Sequence, residues 1–195
     1  MEKGLKSGIK ENFYITYRKD LIILDCKSAD CHQQKRLERQ LIKKPSGFIA
    51  FGAGSGLIYP APGTWGSLFA LFLAFLIVKL GANAISLFVL TVILFLVGTV
   101  ASHYTAKALK QEDPPSIVID EIVALLFILV FIPFSWGYWL IAFLLFRFFD
   151  IVKPIPVRTI DQTIKGGLGA MLDDLVAAFY VLILFFLTHL WIKIF

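Results

Sequence analysis

Five apolar runs fill most of the chain after residue 64, at 65–80, 84–103, 117–134, 136–149 and 175–192. A segment that apolar belongs in hydrocarbon, where every backbone N–H and C=O must be bonded within the protein; a single run satisfies that by forming a helix. Composition agrees. Hydrophobic residues make up 58% of the chain, with 19 Phe and a mean hydropathy of +0.78, against about 45–50% apolar in a soluble domain. The expected class is therefore all-α, a polytopic membrane protein of about five membrane-embedded helices with short or re-entrant pieces. At about 1.5 Å per residue, the second, third and fifth runs are long enough to cross a hydrocarbon core about 30 Å thick. The first and fourth reach only about 22–24 Å. They must tilt little, thin the bilayer or stop short of crossing.

Residues 1–46 read as a basic arm and 47–195 as the membrane-embedded domain. The arm holds eleven of the 19 Lys and Arg. It lacks an apolar core of signal-peptide length, so no cleavable leader is expected. Leu21 to Leu24 is a short apolar run. His32 to Lys44 reads as a short basic helix with Leu37, Leu41 and Ile42 on one side, a solvated or membrane-surface tether. Cys26, Cys31 and His32 lack a second ligand pair, so ordinary thiols are expected rather than a metal site. The net charge of +5 suits an anionic membrane surface and gives no reason to expect a nucleic-acid partner.

Lys and Arg also predict orientation, because they accumulate on the cytoplasmic side. Five crossings with the arm inside put the arm, the 104–116 loop and the 147–174 segment in the cytoplasm. Those regions hold 17 of the 19 basic residues, leaving only Lys79 and Lys193 outside them. The loop around Pro133 to Trp136 carries no charge. The same orientation gathers the acids. After residue 46 these are Glu112, Asp113, Asp120, Glu121, Asp150, Asp161, Asp173 and Asp174, all at or near the cytoplasmic ends of the runs.

Three clusters stand out. In the first, Asp113 precedes Pro114 and Pro115, which bar a helix interior. Ser116 is a plausible N-cap, placing Asp120 and Glu121 about one turn into the third run. The helix dipole favours an acid there, but it accounts for one better than for two. A carboxylate in mid-membrane costs roughly 2.5–3.5 kcal/mol on insertion scales. The second cluster runs from Arg147 through Asp150 and Lys153 to Arg158. Arg147 and Asp150 stand at ion-pair spacing, while Pro154 and Pro156 stiffen the exit. This segment serves either as a cytoplasmic anchor or as a phosphate clamp, for which Arg is apt. In the third, Gly166, Gly167 and Gly169 lead to Asp173 and Asp174. A glycine loop opening a helix can present N–H groups to an anion, yet the two Asp would repel a phosphate unless a cation lay between. Adjacent helical residues point about 100° apart, so each acidic pair is expected to supply one direct ligand and one indirect contact. Mg²⁺ fits, since it takes one or two carboxylates, keeps waters and shares phosphate oxygens. The expected metal set is Asp120, Glu121, Asp173 and Asp174, with Asp113 and Asp150 as a further ligand or outer contact.

Two other stretches bear on the site. Gly47 to Thr64 is rich in glycine and ends Pro60-Ala61-Pro62-Gly63-Thr64. It reads either as an interfacial turn or as backbone N–H groups offered to a lipid phosphate. Thr64 is placed to N-cap the helix that follows. His103, closing the second run, is an interfacial hydrogen-bonder or a proton relay.

Taken together these stretches resemble the phosphatidylglycerophosphatase A family. The resemblance is carried by Gly52-Ala53-Gly54-Ser55-Gly56-Leu57, Ala61-Pro62-Gly63-Thr64, His103 through Lys107, Asp113 through Glu121, Arg147 through Pro156 and Gly166 through Asp174. It covers about Gly47 to Tyr180, leaving out the arm. Ala124 and Ala178 stand where the family often has Gly, which touches helix packing rather than chemistry. The resemblance implies a bacterial inner-membrane enzyme that removes the terminal phosphate of phosphatidylglycerophosphate with Mg²⁺. On that reading Asp120, Glu121, Asp150, Asp173 and Asp174 are catalytic. Lys153, Arg147, Thr64, Gly166, Gly167 and Gly169 hold the phosphate. Either a metal-activated water attacks in line or an aspartyl-phosphate forms. A cysteine nucleophile is not expected, since both Cys lie in the arm. Two other classes are a Mg²⁺ or proton transporter, which calls for acids through the bilayer depth, and a non-catalytic lipid-binding subunit, which has no need of four acids.

Overall fold

The computed structural model describes residues 29–111, 113–152 and 166–194, with side chains described between 33 and 188. Among the described residues there is no strand. The helices are α1 (Ala29–Leu41), α2 (Pro45–Ala50), α3 (Pro62–Lys79), α4 (Ala84–Leu109), α5 (Ile119–Phe131), α6 (Trp136–Val152) and α7 (Gly167–Ile194), with a 3-10 turn over Gly52–Leu57 between α2 and α3. Lys153, Arg158, Asp161 and Lys165 fall outside the described residues.

The bundle is built around α5, against which α3, α4, α6 and α7 all pack. All but three of its 13 residues are buried, on every side of the helix. A helix apolar all round belongs in the middle of a structure. This corrects the length expected of the third run's helix. The run holds a helix of about 20 Å, because Ile117 and Val118 precede the helix and Ile132 is already extended. Its apolar length reflects burial in protein. The first run is longer than expected: α3 starts at Pro62, and its 18 residues make it one of three helices long and apolar enough to cross a membrane. The others are α4 and Gly167–Thr188 of α7.

The outer helices turn small residues inward and large ones outward. On α3, Gly63, Gly66, Ser67, Ala70 and Ala74 are buried while Trp65, Leu68, Phe72 and Leu76 are exposed. On α7, Ala177 and Ala178 face the core while Phe179, Ile183 and Phe186 face out. Lipid tails are as apolar as Leu, so helices in a bilayer associate through close van der Waals contact, which small side chains permit. Ala124 and Ala178 are both fully buried. α6 shows the stripe most plainly: Trp139, Ala142, Phe143, Phe146, Arg147 and Asp150 are its buried residues, at helical spacing.

α7 is set against α4 at Gly167. A Cβ there would stand 2.7 Å from the Thr99 carbonyl oxygen and 2.9 Å from the His103 nitrogen. Both are backbone atoms and cannot swing aside. Gly167→Ala is therefore expected to push the start of α7 off α4 at a cost of about 1–3 kcal/mol. The check is a lower melting temperature in detergent. An unchanged melting temperature would mean that this contact is looser than it looks.

Two helix starts differ from expectation. Thr64 lies inside α3, whose N-cap is Ala61 in a left-handed conformation. Ser116 does not cap α5, which begins at Ile119 with Val118 as N-cap and no side-chain cap bond. Pro62 determines the first, since its ring is preset for a first helical turn. Val118 determines the second, donating its N–H to the Ala50 carbonyl and so staying outside the helix.

Candidate active site

Three helix N-termini, those of α3, α5 and α7, meet the C-terminal halves of α4 and α6 at one end of the bundle. Gly98, Ile119 and Met171 lie side by side, as do Gly63, Glu121 and Arg147. The acids collect at this end. Asp120 and Glu121 stand in the first turn of α5, Asp173 and Asp174 two turns into α7, and Asp150 in the last turn of α6; all five are buried.

Asp120, Glu121 and Asp174 converge. Each offers a carboxylate oxygen, and these oxygens all lie within 4.8 Å of one another. Asp174 also has Asp150 and Asp173 among its charged neighbours. The second Asp of the α7 pair is thus the one turned into the cluster, while Asp173 Oδ1 accepts from the Asp174 N–H at 3.0 Å. In the α5 pair both residues enter. Asp120 Oδ1 accepts from the Glu121 N–H at 3.1 Å, and the longer Glu121 side chain reaches round the helix. It has room to do so because Gly63 has no side chain: a Cβ there would lie 2.5 Å from Glu121 Oε1. The same Cβ would lie 3.0 Å from Arg147 Nη1. Arg147 forms a buried ion pair with Asp150, one turn along α6. Its guanidinium therefore lies beside both Asp150 and Gly63, the glycine that Glu121 Oε1 also adjoins.

The other expected site residues fall elsewhere. Asp113 is exposed and outside the cluster. Thr64 is half-buried in the first turn of α3, next to Gly63. His103 is exposed, its ring edge-on to Tyr104 and near Gly166 rather than the acids. Gly166 has a positive φ and starts the α7 turn, while Gly167 and Gly169 are buried. Lys153 lies outside the described residues. In the glycine run the N–H groups of Gly54 and Gly56 both donate to the Phe51 carbonyl, so they close a turn rather than face a phosphate. The residue that reasoning from sequence passed over is Gly63, whose signal was the Pro-Gly pair opening an apolar run.

Three carboxylates packed this tightly and buried repel one another unless a cation lies among them. Asp174 Oδ2 is buried and makes no hydrogen bond. An all-oxygen donor set of this kind suits a hard divalent ion, so the residues present fit a metal.

The family model for phosphatidylglycerophosphatase A matches residues 48–189. The chain belongs to the phosphatidylglycerophosphatase A family. It is 42% identical over 156 residues to phosphatidylglycerophosphatase A of Haemophilus influenzae, covering 80% of this chain and 95% of the relative. It is 36% identical over 162 residues to phosphatidylglycerophosphatase A of Escherichia coli, covering 82% and 93%. A Bacteroides thetaiotaomicron protein with the provisional name phosphatidylinositol-3-phosphatase is 38% identical over 152 residues, covering 73% and 94%. No solved structure matches the chain. In this member of the phosphatidylglycerophosphatase A family, every acid of the cluster lies within the matched stretch, whereas α1 lies before it.

Proposed function

We propose that the chain is a Mg²⁺-dependent lipid phosphatase that hydrolyses the terminal phosphomonoester of phosphatidylglycerophosphate at the cytoplasmic leaflet, giving phosphatidylglycerol and phosphate. The observation that carries this is the buried Asp120–Glu121–Asp174 cluster at one end of a membrane bundle, in a chain similar to phosphatidylglycerophosphatases. Asp120, Glu121 and Asp174 would hold the ion. Bound there, Mg²⁺ supplies Lewis-acid polarisation of a phosphoryl oxygen and an acidified water. Arg147, braced by Asp150, supplies positive charge beside the cluster and neutralises charge building on the phosphoryl oxygens. Asp173, bonded back to its own helix, holds the α7 turn from which Asp174 projects. The N-termini of α3, α5 and α7 add their positive ends. A one-sided acid cluster favours this reading over a transporter, and its three carboxylates favour it over a passive lipid-binding subunit.

The exclusion of Lys and Arg from the 80–83 and 132–135 connections, both at the end opposite the acids, supports a cytoplasmic site in the inner membrane of a bacterium. The test is phosphate release by the purified protein from phosphatidylglycerophosphate and from phosphatidylinositol 3-phosphate in mixed micelles, with Mg²⁺ titrated and then chelated. Release from the first lipid that rises with Mg²⁺ and stops on chelation is the expected result. Release that persists in chelator would remove the metal from the reaction, and faster release from the inositol lipid would reassign the substrate.

A further inference from the structure

Helix α2 packs against α4 and leaves a groove of about 460 Å³ along the contact, open to the outside of the bundle. Ligand sites run from about 300 to 1,000 Å³, so the groove has the volume of one. Its walls include Pro45 and Ile49 of α2 and Leu96, Val97, Val100 and Tyr104 of α4, and the lining is almost wholly apolar. The four α4 residues are exposed and span about 12 Å along the helix. Since α4 is long and apolar enough to cross a membrane, a groove open on its outer side meets hydrocarbon chains.

Cations stand at both walls. Lys43 and Lys44, both exposed, lead directly into Pro45. On α4, Leu96, Val100 and Tyr104 recur every four residues and Lys107 follows three later, so all four share one side of the helix. Lys107 is exposed as well. Neither α2 nor α4 contains an acid to offset these lysines. Tyr104 adds an amphipathic ring of the kind found at headgroup level. An apolar channel with a basic rim matches a phospholipid of net negative charge, whose acyl chain suits the channel and whose phosphate suits the rim. A zwitterionic lipid carries a cation of its own, which the lysines repel. The acid cluster lies on another side of α4. Gly98 is two residues from both Leu96 and Val100, about 200° round the helix from each. A Cβ on Gly98 would stand 2.8 Å from Ile119 Cγ1 and 3.3 Å from Met171 Cε, on the helices that bear the acids.

We infer that the α2–α4 groove binds one anionic phospholipid, apart from the acid cluster. Its acyl chain lies along Leu96, Val97 and Val100, and its phosphate sits among Lys43, Lys44 and Lys107. The bound lipid fastens α2, whose last residue, Ala50, accepts the Val118 N–H two residues before Asp120.

The experiment uses the full chain in phosphatidylcholine micelles with a trace of phosphatidylglycerol that carries a photoreactive diazirine on one acyl chain. Labelled peptides are read by mass spectrometry. Label should fall on 45–49 and 96–104. Excess unlabelled phosphatidylglycerol should lower it about tenfold, and the same excess of phosphatidylcholine with matched chains should leave it within twofold. Val100→Trp fills the groove from an exposed position and should cut the label about tenfold with the melting temperature unchanged. The triple change Lys43→Gln, Lys44→Gln and Lys107→Gln should bring phosphatidylglycerol down to the level of phosphatidylcholine as a competitor. If Val100→Trp melted lower, this surface variant would decide alone. Equal competition by the two lipids in the wild type would overturn the site and leave an ordinary lipid-facing surface. Competition by phosphatidylglycerol that survived the triple change would overturn the lysine rim. Label on 117–121 and 167–174 that Val100→Trp left intact would place the lipid at the acids instead, against the inference.

Discussion

Asp174→Asn should melt at a higher temperature than the wild type when both are free of metal, and should gain nothing from added Mg²⁺. Phosphate release should fall about 100- to 1,000-fold. The reasoning starts from repulsion. Asp174 is buried beside Asp120 and Glu121, with Asp150 and Asp173 also near. Without a cation, crowding these carboxylates destabilises the folded state, and replacing one by a neutral amide relieves that. With a cation the sign reverses. An ion that binds only the folded wild type adds about 2.7 kcal/mol at a hundredfold excess over its dissociation constant. Wild type and variant should thus exchange order as Mg²⁺ is added, and melting curves with and without the ion check it. Asp120→Asn should behave in the same way. A variant that melted lower without metal and still rose with Mg²⁺ would show Asp174 to be an ordinary structural acid.

Gly63→Ala should cost activity out of proportion to stability. The new methyl group would lie 2.5 Å from Glu121 Oε1 and 3.0 Å from Arg147 Nη1. Both atoms are the terminal atoms of long side chains, not backbone. They can move away, so the helix need not shift and the melting temperature should change by less than about 1 kcal/mol of stability. What they cannot do is move away and remain in place for catalysis. A displacement of about 1 Å at such a centre costs about a hundredfold in rate. Release should therefore fall by about that factor, with the Mg²⁺ midpoint raised because Glu121 is displaced from the cluster. Gly167→Ala is the contrasting case, since its methyl group would meet backbone and should act on stability first. If Gly63→Ala kept wild-type activity, the Gly63–Glu121–Arg147 contact would have no part in the reaction.

The contrast between α3 and α5 shows where hydropathy stops being informative. On paper the third run is both the longer and the more apolar. Hydropathy records that a segment avoids water; it does not record whether lipid or protein surrounds it. α5 is buried in protein along most of its length, with only Phe131 exposed near its end, whereas α3 turns Trp65, Leu68, Phe72 and Leu76 outward. Length separates them only once Val118 and Ile132 are seen to lie outside the helix.

The acidic pairs make the same point at the scale of side chains. The 100° rule, applied to each pair alone, predicts one direct ligand per pair. In the α7 pair only Asp174 joins the group of converging oxygens. In the α5 pair both Asp120 and Glu121 join it, because a longer side chain and a neighbouring glycine from another helix let both enter.

Residue types and their order along the chain were enough to establish a helical membrane protein, its family and the placing of its acids at the ends of apolar runs. These follow from one-dimensional quantities: polarity, run length and motif order. Which acids share a centre, which helix is central and why Gly63 must lack a side chain were decided only by packing. Those outcomes depend on how each helix is turned about its own axis and how closely it approaches its neighbours, and residues distant in sequence control both.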